Sequence, residues 1–193
     1  MKWIHARVVA STAAMLFASV TVPAHADVVN GGFETGTLAG WTATGDTSFS
    51  GVDPFAARTG TFGAFFGPTA VGGIAQSFAT IASTTYNVIF SLSLPDSAQP
   101  NSFSWSWNGV TQAPSFNNAA GFGYTDFSSL VTATGATSTI AFNFRNPQSF
   151  WLLDNVSVTV SAIPEMPVNA LLGAGLLLMA AMAKRRAARR SGA

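Results

Sequence analysis

The 193-residue chain contains no cysteine, which removes disulfides, thiolate metal sites and Cys nucleophiles from consideration. Histidine is nearly as scarce. His5 and His25 are the only two, and both fall within the first 26 residues. No lysine stands between Lys2 and Lys184. Charged residues make up only 9% of the chain and are placed unevenly. Residues 27–162 hold Arg58 and Arg145 against Asp27, Glu34, Asp46, Asp53, Asp96, Asp126 and Asp154, whereas residues 163–193 hold five basic residues against Glu165. A mildly acidic middle lacks the clustered Lys and Arg that hold a phosphate backbone, so nucleic acid is excluded as its partner.

The same shortages bear on catalysis. Beyond residue 26 there is no His or Cys, so serine-type nucleophile activation and the usual zinc chemistry lack their parts. A pair of carboxylates acting on a glycoside is the remaining route. The seven acids of the middle are scattered, however, and Asp46, Asp53, Asp96 and Asp126 fall near strand ends or turns, as solvated loop residues do. No catalytic residue is assigned, and the protein is read as a non-enzyme.

What is present is a chain in three parts. Residues 1–26 carry a short basic stretch (Lys2, Arg7), an apolar run from Val8 to about Val20, and Ala24-His25-Ala26 before Asp27. This is the layout of a secretory signal helix cut by signal peptidase after Ala26. An uncleaved anchor is the other reading, and the run is shorter than the roughly 20 residues a span needs. The tail, residues 163–193, has Pro164-Glu165-Met166-Pro167, then an apolar run over 168–183 broken only by Asn169, then Lys184, Arg185, Arg186, Arg189 and Arg190. As a helix at about 1.5 Å per residue the run reaches roughly 24 Å. That is short for a bilayer core, and snorkelling basic side chains can make up the difference. A short transmembrane helix is therefore expected, with the basic stop on the cytoplasmic side and the preceding domain facing outward. The two prolines keep Glu165 in an exposed, extended segment.

The order of a Pro-Glu dipeptide, a short apolar helix and an Arg-rich end resembles the PEP-CTERM sorting signal of Gram-negative bacteria. Met166 stands where that motif has its second proline. The resemblance implies transient residence in the inner membrane, recognition by an exosortase-type processing enzyme, and release to the cell surface or outside. It also implies a setting of exopolysaccharide and biofilm. A plain C-terminal anchor is the alternative reading of the same residues.

The middle, residues 27–162, is rich in Thr, Ser, Gly and Phe, with short alternating runs bounded by Gly, Pro and Asn. Tyr86 to Leu94, Phe103 to Trp107 and Ile140 to Phe144 each have one apolar face, and further strands are expected near 46–52, 61–66, 73–79, 121–127 and 150–160. The expectation is one all-β domain of roughly eight strands in two sheets. Fifteen Phe residues supply a core without metal or disulfide. The Gly-rich turns precede no helix, so none is a phosphate cradle.

Asn30-Gly31-Gly32-Phe33-Glu34 with Gly40-Trp41-Thr42, and Trp151-Leu152-Leu153-Asp154-Asn155-Val156-Ser157-Val158, resemble the opening and closing strands of carbohydrate-binding-module-like jelly rolls. The resemblance implies a jelly-roll β-sandwich. It also implies a structural calcium where the first and last strands meet, with Glu34 and Asp154 at the matching positions. The alternatives for Asp154 are bonds to backbone N–H groups or Arg145, or a bulge that turns it outward. Phe103, Trp105 and Trp107 share one strand face, so Trp105 and Trp107 are either core or a platform for sugar rings. Three functions stand at this point: a non-catalytic structural or adhesive envelope protein, a glycan-binding module with extracellular polysaccharide as partner, and a glycosidase.

Overall fold

The computed structural model describes residues 27–161 and, beyond them, Met179 alone. Ala24 and Ala26, the sorting motif Pro164 to Pro167 and the basic stop lie outside the described residues, while Asp27 is exposed at their start. Among the described residues no helix is long and apolar enough to cross a membrane.

Ten strands form two five-stranded antiparallel sheets: β1 (Thr42–Gly45), β2 (Ser50–Asp53), β3 (Gly63–Phe66), β4 (Gly72–Ala79), β5 (Thr85–Leu94), β6 (Ser102–Trp107), β7 (Val110–Asn117), β8 (Phe122–Thr132), β9 (Thr137–Arg145) and β10 (Trp151–Val160). One sheet runs β1-β4-β9-β6-β7 and the other β2-β3-β10-β5-β8. A single 3-10 turn, Pro54–Ala56, follows β2 and is capped by the Asp53 side chain. The all-β sandwich expected from the alternating runs is what forms.

Two of the ten strands exceed the roughly eight expected, and both are sheet edges. All four residues of β1 are exposed, so no apolar alternation marks it. β7 presents mostly exposed positions and carries Pro114, which a strand tolerates at an edge. Its hairpin signal was nevertheless in the sequence: Asn108 and Gly109 have φ of 50° and 79°, as a two-residue Asn-Gly turn requires.

The segment matched to an opening strand is instead a series of turns, and the first strand begins at Thr42. Positive φ at Asn30 (53°), Phe33 (57°), Gly36 (70°) and Gly40 (87°) prevents an extended run. The Asn30 side-chain amide donates to Thr37 O (2.9 Å) and Ala39 O (3.0 Å), closing the turns on themselves. One bond ties them to the last strand, Val156 N to Gly31 O at 2.9 Å.

The core lies between the sheets and is largely aromatic. Phe66 and Phe144 stack across it with centroids 4.1 Å apart, and Phe90 contacts Phe103, Trp105, Phe127 and Phe142. Such pairs add about 0.5–1.5 kcal/mol each beyond the area they bury, so the core needs no cross-link.

Candidate functional site: an aromatic hollow beside the closing strand

The closing strand sets the chemistry of one outer sheet face. In β10, Trp151 and Leu153 belong to the core, and so do Val156 and Val158, which have the opposite parity. The switch is a bulge: pairing with β5 shifts register between Asp154 and Ser157, and Asn155 takes φ 54°. Asp154 therefore faces away from the core, opposite Ser91 of β5. It is nevertheless fully buried, because the loop after the 3-10 turn covers it.

That loop meets the carboxylates with backbone amides. Asp154 Oδ2 accepts from Arg58 N (2.8 Å) and Thr59 N (3.1 Å), and Oδ1 from Asn155 N (2.6 Å). Glu34 accepts from Thr61 N through Oε1 (3.1 Å) and Oε2 (3.0 Å), and from Phe62 N through Oε1 (3.2 Å). Gly60, between the two sets, has φ 68°, and a Cβ there would sit 2.3 Å from Glu34 Oε1. Burial pushes the Asp154 carboxyl above the ordinary carboxylate range, with the three amides opposing it and the Glu34 charge adding to it.

Glu34 and Asp154 are thus brought to one loop, as the jelly-roll resemblance implied, but the donor set does not fit calcium. That ion takes six to eight oxygens, and N–H groups already point at the oxygens of both carboxylates. No third His, Cys, Asp or Glu completes a cluster among the described residues. Of the alternatives for Asp154, the backbone N–H bonds and the bulge both hold. Arg145 is not its partner, since Arg145 Nε donates to Thr69 O at 3.0 Å.

Asp126 and Asp46 are engaged as well. Asp126, expected in a loop, lies in β8 and pairs with Arg58 at 2.8 Å; it also accepts from Ser91 Oγ at 2.6 Å. Arg58 lies 5.8 Å from the centre of the Tyr124 ring, whose hydroxyl donates to Ala56 O. Desolvation first, then the Asp154 charge, pushes the Tyr124 phenol well up and keeps it neutral. Asp46 caps the turns before β2 and β4 and is held below the usual carboxylate range, foremost by the Ala70 amide.

Trp105 and Trp107 are core residues, 0% and 4% exposed. Their indole N–H groups donate inward to Ala113 O and Thr132 O, both at 3.1 Å. Neither ring offers a face to a sugar, which corrects the platform reading. Trp41 and Trp151 are buried too, donating to Asn30 O and Arg145 O.

The exposed rings are elsewhere. Among the described residues the largely exposed aromatics are Phe49 (68%) and Phe55 (57%). Phe55 packs on Phe65 at 5.3 Å and on Phe150 at 6.0 Å, and Phe65 meets Phe150 edge-on at 5.3 Å. Phe49, Gly67, Phe150 and the Asn146–Ser149 turn line a hollow of about 140 Å³. Gly67 shapes it: a Cβ there would meet the Phe150 ring and Ser149 O at 2.8 Å, while its N–H donates to Phe49 O at 2.8 Å. Asn146 is fully buried; its Oδ1 accepts from Ser149 N at 3.1 Å, and its Nδ2 has no partner. Buried polar atoms are paired as a rule, and this Nδ2 is an exception that lies beneath the surface of the turn rather than open to the hollow. A second hollow, about 260 Å³ beside Trp107, Val110 and Leu130, has no exposed ring.

Sequence reasoning missed this group. One signal was available: Phe65 and Phe66 are adjacent in β3, and neighbouring strand residues point to opposite faces, so one of the two had to leave the core.

No family model matches the chain, and no curated protein does. Solved structures do match. TmCBM61 in complex with β-1,4-galactotriose is 16% identical with a TM-score of 0.54, over 68% of this chain and 96% of that one. A family 16 carbohydrate-binding module is 15% identical with a TM-score of 0.51, over 68% and 98%. The enzymatically active domain of bacteriophage CBA120 tailspike protein 4 is 14% identical with a TM-score of 0.52, over 69% of this chain but 21% of that one. The likeness is one of fold. The sandwich is the jelly roll of carbohydrate-binding modules, and that fold also occurs within a larger enzyme chain.

Proposed function

We propose that the protein is an exported, non-catalytic glycan-binding β-sandwich, with the Phe49 hollow as its binding site. Its tail is a sorting handle of the exosortase kind, which holds it transiently in the inner membrane before release to the surface or the extracellular polysaccharide. The observation that carries the binding reading is the exposed ring of Phe49 on a hollow otherwise lined by Gly67, Phe150 and the neutral, polar Asn146–Ser149 turn. An exposed aromatic group marks an interaction site, and a few convergent polar groups in an apolar hollow orient a ligand. A sugar has an apolar C–H face for the ring and hydroxyls for the polar Asn146–Ser149 turn. The fold shared with a module solved in complex with β-1,4-galactotriose supports the ligand class.

The non-catalytic reading rests on the carboxylates. Glu34 and Asp154 are held by amides, Asp126 by Arg58, and Asp46 by the turn it caps. No carboxylate lines the hollow, so no acid–base pair faces a bound glycoside.

Affinity electrophoresis of the full chain in detergent, through gels containing neutral polysaccharides, tests the site. Retardation is expected for the wild type and is lost in Phe49→Ala. Wild-type migration unchanged in every polysaccharide would refute the proposal and leave a structural or adhesive role. For the tail, mass spectrometry of the mature protein is expected to find a C-terminus before Lys184, and an end that retains Arg189-Arg190 would refute processing.

A further inference from the structure

We infer that, while its tail is in the membrane, the sandwich stands on a charge-free end, with Ile81, Val110 and Leu130 against the lipid and the Phe49 hollow directed away; this rests on the tail reading above. Topology separates the two ends. β10 begins at Trp151, directly after the turn that lines the hollow, and ends at Val160, beyond which Ser161 N donates to Thr85 O at 2.9 Å. Nine steps of about 3.4 Å put about 30 Å between them. Residues 162–167 then lead to the apolar run of the tail, and six residues reach at most about 22 Å. The tail therefore leaves from the end opposite the hollow, on a connection shorter than the sandwich.

The turns at the tail end are residues 80–84, 108–109 and 133–136. Among the described residues neither these turns nor the strand ends that flank them carry Asp, Glu, Lys or Arg. Charge begins at mid-sheet. Asp126 and Asp154 both lie level with Ser91, and Arg58 and Glu34 meet the loop that covers Asp154. Asp46, Asp96 and Arg145 lie toward the hollow end. From Ser91 to Thr85 is six steps of β5, so about 20 Å of each strand stands clear of charge. Asp27 is two residues from Val29, which Gln76 holds in mid-β4 through bonds of 2.7 and 2.9 Å. A charge pressed against lipid loses its water without gaining a partner, and an uncharged end escapes that cost. Ile81, Val110 and Leu130 are exposed there, the last two by 64% and 66%, and they rim or neighbour the hollow of about 260 Å³ beside Trp107. Exposed apolar groups gathered at one end suit a membrane surface. Standing this way, the protein holds its glycan hollow about 30 Å further out, so binding need not wait for release.

The chain has no cysteine, so a single introduced one carries the only label. Ala82→Cys places it at the tail end and Ala120→Cys at the hollow end, both at exposed positions. Each full chain, labelled with a nitrobenzoxadiazole dye, is reconstituted in vesicles of phosphatidylcholine and phosphatidylglycerol, with and without headgroup spin-labelled lipid. The Ala82→Cys label is expected to lose emission to the spin-labelled lipid, and the Ala120→Cys label to keep it. Adding Val110→Asp and Leu130→Asp is expected to restore emission at Ala82→Cys. Both side chains are more than half exposed, so the melt should remain that of the wild type. Equal quenching of the two labels, or more at Ala120→Cys, would overturn the orientation. Quenching that survives the two Asp substitutions would overturn the apolar contact. Emission at Ala82→Cys that follows protein density and ignores the spin-labelled lipid would place a second copy on this end instead of lipid, and so overturn the inference. Failure of the chain to float with the vesicles would overturn the tail reading itself.

Discussion

Replacing Asp154 with Ala removes the acceptor on which the 58–59 loop closes, and its cost can be worked from the contacts. Three amides lose their partner: Arg58 N, Thr59 N and Asn155 N. Thr59 is exposed, so water can replace the carboxylate there, but Arg58 and Asn155 are only partly open. Leaving a buried donor unpaired costs about 1–3 kcal/mol. Two such donors give about 4 kcal/mol, reduced to about 3 kcal/mol because a desolvated charge is removed with the side chain. For a domain of this size that is a fall of about 8–12 °C in Tm.

The pH dependence has a definite sign. Burial raises the Asp154 pKa in the fold above the ordinary carboxylate value of 3.8. The folded state therefore binds the proton more tightly, and this group's contribution is full below pH 3.8 and lost as pH rises through the raised folded value. The Tm gap between wild type and Asp154→Ala should be larger near pH 4 than at pH 7, as read by scanning calorimetry of the full chain at both. A gap that widens with rising pH would refute the reasoning, because it would mean that the ionised form is the stabilised one, as beside a cation. A variant melting within about 2 °C of wild type at both pH values would refute the loop contacts.

Three further outcomes follow from the same contacts. Since amides hold Glu34 and Asp154, the melt should be the same with excess calcium as with chelator; a rise with calcium beyond about 2 °C would restore the ion. Gly67→Ala should push the Phe150 ring out of place, lower stability by about 1–3 kcal/mol and abolish retardation in polysaccharide gels. Trp105→Ala should cost about 3–5 kcal/mol as a core cavity, yet whatever folded protein remains at low temperature should still bind, since that ring does not reach the hollow; selective loss of binding with an unchanged melt would contradict its burial.

The chain by itself determined the class of fold and the limits on chemistry. Alternation such as Tyr86 to Leu94 needs only the two-residue period of a strand to become a buried face, and the absence of His and Cys after residue 26 needs no coordinates to exclude their chemistry. Even the edge hairpin was written locally, in Asn108-Gly109. Tertiary structure decided everything that turns on which face a residue takes. A single bulge at Asp154 reverses the parity of β10 and turns that carboxylate to the outer face. Loop closure over that face then supplied four amides, from residues 58, 59, 61 and 62, and the bulge a fifth, from Asn155, in the role assigned to calcium. The exposed rings were missed for the same reason. Trp105 and Trp107 alternate as either a core or a platform would, and only the second sheet packed above them makes them core. Phe49, Phe55 and Phe150 belong to three separate connections, whose meeting depends on how β2, β3 and β10 lie side by side. Period two is a local property of the backbone, whereas the choice of face and the meeting of loops are properties of the whole sandwich.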